Sequence, residues 1–428
     1  LHVSDSQKAA DMLQGFAEGA SVPGLAQEDG LASGGDCVAF VYSGNGAQWV
    51  GMGQALLHES PRFAALLRQL DLAMQPLTGF SLIEELQAAP EQSRMADTTV
   101  GQPLLFALQV AVTTVLKESG VKPAVSFGHS VGEIAAAWAC GALTLTQAIE
   151  VICARSQAQG MTRGQGRMAA VGLSAANVQQ VLDDLGGVLD IEIAGINSPG
   201  NVTLSGSLED LCQLQKRIVD QGVFFRMLDL DYAFHSHYMD PIEEQLVQRL
   251  AGIEPTSAAE GMFVSTVTGN KLDGKALDAH YWWRNVREPV QFAQAVDAAA
   301  QAGCRVFVEI GPHAILRRYI TESLAPTQAQ GRVLPTLKRG DDGALRLRDV
   351  VLRLHLLGAR DDLKTLFGYP GKPVQLPNYP WQRERHWHPR TTEGLLGFEQ
   401  RRVHPLLGWR LPGAELSWEN TLDAATLP

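Results

Sequence analysis

Positive charge is scarce in this sequence, because 35 Lys and Arg residues stand against 46 Asp and Glu residues and the formal net charge is -11 at pH 7. Binding to a nucleic-acid backbone requires clustered Lys and Arg side chains, which this chain lacks. We therefore expect no nucleic-acid partner. This net negative charge still allows a local basic patch that could bind an acidic protein partner.

Cysteine pairs, long apolar runs and an export signal are also missing. None of the five cysteines stands in a CxxC pair, and they are widely scattered (Cys37, Cys140, Cys153, Cys212 and Cys304). This usage predicts reduced core residues in a cytoplasmic protein rather than disulfides. No apolar run reaches the roughly 18 to 20 residues that span a bilayer, and the first residues do not resemble a signal peptide. We expect a cytoplasmic protein with no membrane association.

The remaining composition is that of an ordinary globular protein, with 45% hydrophobic and 19% charged residues over 428 positions. A chain of this length predicts about two to four compact units with linkers. The β-prone run CVAFVY at residues 37–42 breaks at a glycine-rich turn before helical periodicity resumes after Trp49. A second apolar run, at residues 124–127, meets another glycine-flanked turn and then the helical stretch EIAAAWAC. Two such strand-turn-helix units predict an α/β fold with a parallel sheet.

A different pattern occupies residues 167–235. Strand-like and helix-like runs follow one another there in the order β-α-β-β-α-β, which is typical of a ferredoxin-like fold. The strand-like run CRVFVEIG at residues 304–311 is expected to return the chain to the larger sheet. We therefore predict a ferredoxin-like subdomain inserted into a larger α/β domain.

The most specific motif is GHSVG at residues 128–132, which matches the nucleophile-elbow pattern G-x-S-x-G. A serine in this pattern lies on a tight turn between a strand and a helix, and the flanking glycines relieve crowding. The following helix directs its first amides toward a developing oxyanion. The predicted strand before Ser130 and the helix after it favour a catalytic serine over an incidental Gly-Ser turn.

A serine nucleophile needs a base, and histidine has a pKa suited to that role near neutral pH. His235 and His237, in the run DYAFHSH, lie where the inserted subdomain ends. Their H-x-H spacing could also indicate a metal site, but no further Cys, His or Asp residues stand at metal-ligand spacing. We expect a base here and no metal.

Arg155 lies on the next predicted helix in apolar surroundings, where a guanidinium without a partner is costly. It could form a salt bridge with Glu133 or Glu150. Alternatively, its planar fork could bind a substrate carboxylate through two hydrogen bonds. The spacing alone does not decide between these roles.

The turn Gly44-Asn45-Gly46 follows the first predicted strand. The dinucleotide-binding pattern G-x-G-x-x-G would require glycine where Trp49 stands, so that interpretation is weak. Backbone amides exposed at the carboxyl edge of the sheet could supply half of an oxyanion hole, and a plain tight turn is the alternative.

Together these motifs resemble the acyltransferase domains of modular polyketide synthases and, more distantly, the malonyl-CoA:acyl-carrier-protein transacylases of fatty-acid synthesis. The matching segments are SGNGAQWVGMG at 43–53, GHSVGEIAAA at 128–137, Arg155, INSPGNVTLSG at 196–206, YAFHSH at 232–237 and EIGPH at 309–313. They occur in the same order along nearly the whole chain. The resemblance implies an α/β-hydrolase-like large subdomain with a parallel sheet and an inserted ferredoxin-like small subdomain.

The same resemblance implies a domain organisation. Residues 1–35 look like part of a linker that follows a ketosynthase. Residues 36–166 and 236–330 look like the large acyltransferase subdomain, and residues 167–235 look like the small one. Residues 331–390, with the run LPNYPWQRERHW, look like the linker that wraps back over the acyltransferase. Residues 391–428 look like the N-terminal fragment of a dehydratase domain, so we expect a piece of a larger synthase.

By position, the resemblance implies that Ser130 is the nucleophile, His235 the general base and Arg155 the anchor for the free carboxylate of the extender unit. It assigns the oxyanion hole to the backbone amides of Asn45 and Val131.

The resemblance also maps the backbone carbonyl that orients the histidine to Asn285, within WWRNVREPV. Gln48, His129, Tyr232 and Phe234 are expected to line the same pocket.

The implied reaction moves a malonyl unit from malonyl-CoA through a serine ester to the phosphopantetheine thiol of an acyl carrier protein, with no bound cofactor. Phe234 and Val131 are typical of malonyl-selective domains, whereas Tyr232 is common in methylmalonyl-selective ones. We favour malonyl because the bulk of Phe234 opposes a substituent at C2. A serine hydrolase or thioesterase, with Asp240 or Glu243 supporting the histidine, is the main alternative, and a docking module with a vestigial site is a third. The expected partners are the carrier protein, malonyl-CoA and adjacent ketosynthase and dehydratase domains.

Overall fold

The computed structural model describes residues 5–20, 22, 24–28, 37–327 and 331–359, positions 375, 377, 378, 381, 382 and 384, and residues 402–410 and 416–420. Most of the predicted linker beyond residue 359, and most of the predicted dehydratase fragment at 391–428, lies outside the described residues. The end of the predicted N-terminal linker, at 29–35, lies outside them as well.

The strands are β1 Val38–Tyr42, β2 Val125–Gly128, β3 Arg167–Val171, β4 Ile191–Ser198, β5 Asn201–Gly206, β6 Phe225–Met227, β7 Met262–Phe263, β8 Val306–Ile310, β9 Arg332–Pro335, β10 Arg402–His404, β11 Gly408–Arg410 and β12 Trp418–Glu419. The α-helices are α1 Ser6–Ala17, α2 Gln54–Glu59, α3 Pro61–Thr78, α4 Leu82–Gln87, α5 Thr98–Glu118, α6 Gly132–Ala139, α7 Leu145–Gly160, α8 Ala175–Asp184, α9 Leu208–Val219, α10 Glu243–Leu250, α11 Ala279–Arg287, α12 Phe292–Gln301, α13 Arg317–Leu324 and α14 Ala344–Leu356. Short 3₁₀ helices occupy His237–Ile242, Gly274–Ala276 and Ala325–Thr327.

The larger sheet contains β7, β2, β1, β8 and β9 in that order, and all neighbouring strands are parallel. β1, β2 and β8 are buried along their whole length, as expected for a parallel sheet that helices cover on both faces. Tyr42, at the end of β1, pairs with Gly128 on one side and Ile310 on the other. The turns that follow these three strands therefore meet at one edge of the sheet, and the predicted α/β fold is confirmed.

The larger sheet extends beyond residue 330. Arg332–Pro335 pairs with β8 as the edge strand β9, and the backbone amide of Arg332 donates to the carbonyl of Arg305 at 2.8 Å. The predicted start of the linker at residue 331 thus falls before the last strand of the sheet.

The smaller sheet is antiparallel, with strand order β4, β5, β3, β6. Its helices α8 and α9 pack on it through a hydrophobic cluster of its own, which includes Val178, Leu204, Leu211 and Leu214. The succession β3-α8-β4-β5-α9-β6 with this strand order is the ferredoxin-like arrangement that the sequence predicts.

Helix α5 forms the centre of the larger core. The side chain of Asp97 caps it by accepting from the amide of Thr99 at 2.9 Å. Among the described residues it is the one helix long and apolar enough to cross a membrane, yet 83% of its apolar window is buried inside the protein. Its buried Gln109 donates to the backbone oxygen of Ser43 at 2.7 Å, which fixes the start of the turn after β1.

Residues 371–428 form a second compact unit. Its described residues include a three-stranded antiparallel sheet of β10, β11 and β12. All five cysteines of the chain are free thiols, but they are not all core residues as predicted: three are buried, whereas Cys37 and Cys212 are only partly buried.

Candidate active site

The GHSVG turn has the geometry of a nucleophile elbow. β2 ends at Gly128, α6 begins at Gly132, and Ser130 between them has a left-handed backbone with a φ of 52°. A Cβ on Gly128 would lie 2.1 Å from the carbonyl carbon of Gly132, and a Cβ on Gly132 would lie 2.4 Å from the carbonyl oxygen of Tyr42. Both glycines are therefore needed for α6 to fold back closely against β2 and β1.

We expect Gly132→Ala to destabilise the fold, because the new Cβ would meet backbone oxygen that cannot move without displacing β1. Overpacking of this kind costs about 1–3 kcal/mol, so the thermal unfolding midpoint should fall by several degrees. Gly200→Ala is the matched control, since its Cβ would enter open space and its φ is not positive. Equal midpoints for the two variants would contradict the close packing at the elbow.

His235 reaches the serine from the segment that follows the smaller sheet. Its φ is 59°, and in the described part of the chain Ser130 and His235 are the non-glycine residues with positive φ. Its Nε2 lies 2.8 Å from Ser130 Oγ, and its Nδ1 lies 2.8 Å from the carbonyl oxygen of Glu288. A carbonyl can only accept, so Nδ1 carries the proton and Nε2 is left to accept from the serine hydroxyl. This tautomer is the one that a general base requires.

The carbonyl that orients His235 belongs to Glu288, so the prediction that Asn285 provides it is wrong. α11 ends at Arg287, and Pro289 follows Glu288. The carbonyls at the end of a helix lack intrahelical donors, so that of Glu288 is available to the imidazole. Asn285 lies inside α11, and it contributes its side chain to the site instead.

The environment keeps His235 neutral. Burial, reinforced by the positive charge of Arg155, lowers the pKa of His235 from 6.5 to about 3. The imidazole therefore remains unprotonated at neutral pH and can accept a proton from Ser130.

Arg155 lies in the same buried cluster with 1% of its surface exposed. Its Nη2 donates to Ser130 Oγ at 3.0 Å, and its Nε donates to Asn285 Oδ1 at 3.2 Å. Its Nη1 donates to the side-chain oxygens of Gln102 and Gln159 at 2.7 and 2.9 Å. All of these acceptors are neutral, and no carboxylate among the described residues forms an ion pair with the guanidinium.

The structure does not contain the salt bridge that was one alternative for Arg155. Asn285 separates it from Glu133, because the Asn285 amide donates to that carboxylate at 2.7 Å, and Glu150 is exposed. Burial lowers the pKa of Arg155 to about 9, so its side chain is still positively charged at neutral pH. A buried cation beside Ser130, without an anion of its own, is suited to bind a carboxylate.

Glu133 lies under the elbow and is fully buried. It accepts from the amide of Thr266, from the hydroxyl of Tyr281 at 2.9 Å and from Asn285 Nδ2. Burial raises the pKa of Glu133 to about 7 in spite of these donors. Asn285 Nδ2 also donates to the carbonyl of Ser130 at 3.3 Å, so this one amide connects the acid, the elbow backbone and the guanidinium.

The turn after β1 lies directly against the elbow. A Cβ on Gly44 would lie 2.5 Å from the carbonyl oxygen of His129, so the two turns touch. Within the described ranges, the backbone N–H groups of Asn45 and Val131 have no protein acceptor. Two amides on adjoining turns are thus available to a ligand oxygen, as an oxyanion hole requires.

Gln48 and His129 each support one of these turns. Gln48 Nε2 donates to the side-chain oxygen of Asn45, and Gln48 Oε1 accepts from the amide of Gly46 at 2.8 Å. The His129 Nε2 atom lies 2.9 Å from Asn197 Oδ1, and burial lowers the pKa of His129.

Tyr232 and Phe234 precede His235 by three residues and by one residue. Their rings are stacked with centroids 4.8 Å apart, and their exposed fractions are 1% and 4%. The stacked pair forms an aromatic wall on the segment that carries His235.

The two histidines of the H-x-H motif have different partners. His235 contacts Ser130, whereas His237 Nδ1 lies 2.7 Å from Glu192 Oε1. In the part of the chain that the structure describes, no group of three or more His, Cys, Asp or Glu residues is arranged to hold a metal ion.

Neither acid that could complete a hydrolase triad orients His235. Asp240 forms a salt bridge with Arg287 at 2.6 Å, and Glu243 is exposed. The Nδ1 atom of His235 instead donates to a backbone carbonyl, that of Glu288.

Sequence reasoning missed Gln102, Gln159 and the carbonyl of Glu288. Gln102 is a polar residue directly before the apolar run PLLFAL of α5, and Gln159 follows Arg155 by one helical turn on α7. The position of Gln102 before an apolar run and the spacing of Gln159 from Arg155 are the signals that could have identified the glutamines.

Comparisons with known proteins place most of the chain in one family. The family described as acyl transferase domain matches residues 39–361. Polyketide synthase GfsA of Streptomyces halstedii is 37% identical over 380 residues, which make up 88% of this chain and 5% of that protein. Erythronolide synthase EryA2 of Saccharopolyspora erythraea is 36% identical over 388 residues, 90% of this chain and 11% of that protein. The chain therefore spans only a small part of the length of these curated relatives.

Solved structures show the same fold. An acyltransferase domain from module 8 of the salinomycin polyketide synthase has a TM-score of 0.80 and 33% identity, with 85% of each chain covered. A loading acyltransferase from the avermectin modular polyketide synthase has a TM-score of 0.70 and 33% identity over 74% of this chain and 99% of that one.

Proposed function

This chain belongs to the acyl transferase domains of modular polyketide synthases, and on that basis we propose that it transfers a malonyl unit from malonyl-CoA to the phosphopantetheine thiol of an acyl carrier protein. We assign Ser130 as nucleophile, His235 as general base and Arg155 as the anchor for the malonyl carboxylate. One observation supports these roles above all. The Ser130 Oγ atom lies 2.8 Å from His235 Nε2 and 3.0 Å from Arg155 Nη2.

In the first half-reaction, Ser130 Oγ attacks the thioester carbonyl carbon while His235 Nε2 accepts the hydroxyl proton. The carbonyl electron pair moves to oxygen, and the amides of Asn45 and Val131 stabilise the resulting oxyanion. Collapse of this intermediate breaks the C–S bond, and His235 gives its proton to the departing thiolate. CoA leaves as the thiol, and Ser130 carries the malonyl ester.

The second half-reaction reverses these roles. The phosphopantetheine thiol of the carrier protein attacks the ester carbonyl while His235 accepts the thiol proton. Collapse breaks the C–O bond to Ser130, and the same proton returns to the serine oxygen. The products are the malonyl thioester of the carrier protein and the free enzyme, and no bound cofactor takes part.

Arg155 accounts for the choice of an extender with a free carboxylate. A malonyl group would pair its carboxylate with the guanidinium, whereas an acetyl group would leave this buried charge without an anion. Within the described residues the guanidinium has only neutral partners, so no protein carboxylate competes for it.

We favour malonyl over methylmalonyl because Phe234 is buried and stacked on Tyr232, which leaves its ring little freedom to make room for a C2 methyl group. One methyl group changes selectivity by about 1–3 kcal/mol in a shaped pocket. We expect malonyl-CoA to be loaded several-fold to about a hundredfold more efficiently than methylmalonyl-CoA when both compete for the enzyme. Phe234→Ala should lower the ratio of malonyl to methylmalonyl loading. A preference of the wild-type protein for methylmalonyl-CoA would contradict the assignment of malonyl as the substrate.

Intact-mass measurement tests the reaction class. Mixing the protein with malonyl-CoA should give a malonyl adduct that disappears when a phosphopantetheinylated carrier protein is added. Ser130→Ala should give no adduct, because it lacks the attacking oxygen. Rapid CoA release without adduct or transfer would favour a hydrolase, and absence of any reaction would favour a vestigial docking module.

The wider context follows from the relatives, which are large multidomain synthases. We propose that ketosynthase and dehydratase domains flank this domain and that residues 1–35 are a linker. We also propose that the part of the predicted linker 331–390 that follows β9, residues 336–390, is a linker and that residues 391–428 begin the dehydratase. We also propose a cytoplasmic location, which the free thiols of all five cysteines support.

A further inference from the structure

Gln159 carries an unsatisfied amide next to the guanidinium of Arg155. The side chain of Gln159 is fully buried. Its Oε1 accepts from Arg155 Nη1 and from Gln102 Nε2, each at 2.9 Å. Its Nε2 has no hydrogen-bond acceptor among the described residues. Buried polar groups are almost always paired in folded proteins, so this NH₂ group calls for an explanation.

The neighbours of Gln159 determine which end of its amide is the oxygen. Both groups that approach this end, from Arg155 and Gln102, are N–H donors, and a rotated amide would oppose them with donors of its own. Gln102 is itself held in place, because its Nε2 also donates to Thr98 at 2.6 Å and its Oε1 accepts from Arg155 at 2.7 Å. The unpaired atom of Gln159 is therefore the nitrogen, a donor without an acceptor.

We propose that Gln159 is a second ligand for the carboxylate of the extender unit. Gln159 Nε2 and Oε1 are bonded to the same carbon atom, and Oε1 accepts from the guanidinium of Arg155. The unpaired donor therefore lies close to the group that the proposed function assigns to that carboxylate. A malonyl carboxylate has two oxygens with several lone pairs, which can accept from Arg155 and from Gln159 Nε2 together. An acetyl unit satisfies neither donor, so Gln159 adds to the discrimination that Arg155 provides.

The neutrality of the side chain at position 159 is part of the same argument. A carboxylate here would receive the Nη1 hydrogen bond as an ion pair and would compete with the substrate for Arg155. An amide at position 159 holds the guanidinium in place without neutralising the positive charge of Arg155. Gln102 and Asn285 serve the same purpose on the other contacts of Arg155.

Gln159→Glu removes the unpaired donor and also places a carboxylate against Arg155, whereas Gln159→Met removes the donor without adding charge, so the two variants together test the proposal. We expect KM for malonyl-CoA to rise by about tenfold or more, the effect of losing a hydrogen bond to a charged group. Loading from acetyl-CoA should stay near the wild-type rate, so the malonyl-to-acetyl ratio should fall. Gln157→Glu is the matched control: it adds the same charge on α7 but contacts Arg249 and not Arg155.

A wild-type malonyl-to-acetyl ratio in Gln159→Glu, or an equal loss of both activities at an unchanged unfolding midpoint, would overturn the proposal. Gln159→Met should lower the malonyl-to-acetyl ratio as well; a wild-type ratio in this variant would mean that the glutamate acts only by competing for Arg155, and it would also overturn the proposal. Arg155→Ala, measured in the same assay, distinguishes failure of this inference from failure of the proposed function. If Arg155→Ala loses selectivity while both Gln159 variants keep it, only this inference fails. If Arg155→Ala keeps selectivity, the carboxylate anchor in the proposed function fails.

Discussion

Replacing Arg155 with alanine should reduce malonyl loading by about a hundredfold or more, because removing one partner of a buried charge pair costs about 2–5 kcal/mol. Loading from acetyl-CoA should hold or rise, since the acetyl group no longer has to leave a buried guanidinium unpaired. Single-turnover measurements of acyl-enzyme formation with both thioesters give the ratio directly.

Arg155→Lys is the informative companion to this variant. Lysine keeps the charge but lacks the planar fork that contacts Ser130, Asn285 and two glutamines at once. We expect the rate of malonyl loading by Arg155→Lys to lie between the rates of the wild type and of Arg155→Ala. An equal loss of malonyl and acetyl loading in a variant with the wild-type unfolding midpoint would argue against the carboxylate anchor.

His235→Ala should slow acyl-enzyme formation by about 10²–10⁴-fold with either thioester, which is the usual contribution of a positioned general base. Ser130 would lose the acceptor that lies 2.8 Å from its hydroxyl, while the guanidinium would stay in place. The malonyl-to-acetyl ratio should therefore change little, in contrast to Arg155→Ala. Rapid-quench measurement with both thioesters distinguishes the two patterns.

The pH dependence of loading gives an independent control on the base. The pKa of His235 is lowered to about 3, so wild-type loading should show no loss of rate as pH falls through 6.5. Burial is the larger cause of this shift, and the charge of Arg155 acts in the same direction. Arg155→Ala, assayed with acetyl-CoA, should have a higher His235 pKa and an acidic limb at higher pH. A wild-type limb near pH 6.5 would contradict the buried, neutral imidazole.

Two of the three residues to which we assign the reaction have local signatures in the sequence. Ser130 lies in a glycine-flanked turn between a strand and a helix, and Arg155 is a cation in an apolar helix. His235 was found through the family motif YAFHSH, since histidine alone is no sign of catalysis.

The groups that orient them could not be predicted in the same way. The carbonyl of Glu288 has no side-chain signature, because every residue carries a carbonyl and only the end of α11 makes this one available. Gln102 and Gln159 lie on different helices, 57 residues apart, and they meet only because α5 and α7 pack together. β9 was missed because a four-residue strand that ends in proline gives a weak pattern.

The order in which the site residues occur along the chain has a consequence for biosynthesis. The elbow is complete at residue 132, but its base lies after an entire inserted subdomain, and the carbonyl that holds the base lies beyond that, at residue 288. A nascent chain emerging from the ribosome therefore carries a serine that cannot be activated until more than half of this sequence has been translated and both subdomains have docked. Under the proposed function, Ser130 can react with acyl-CoA only after this long-range assembly is finished.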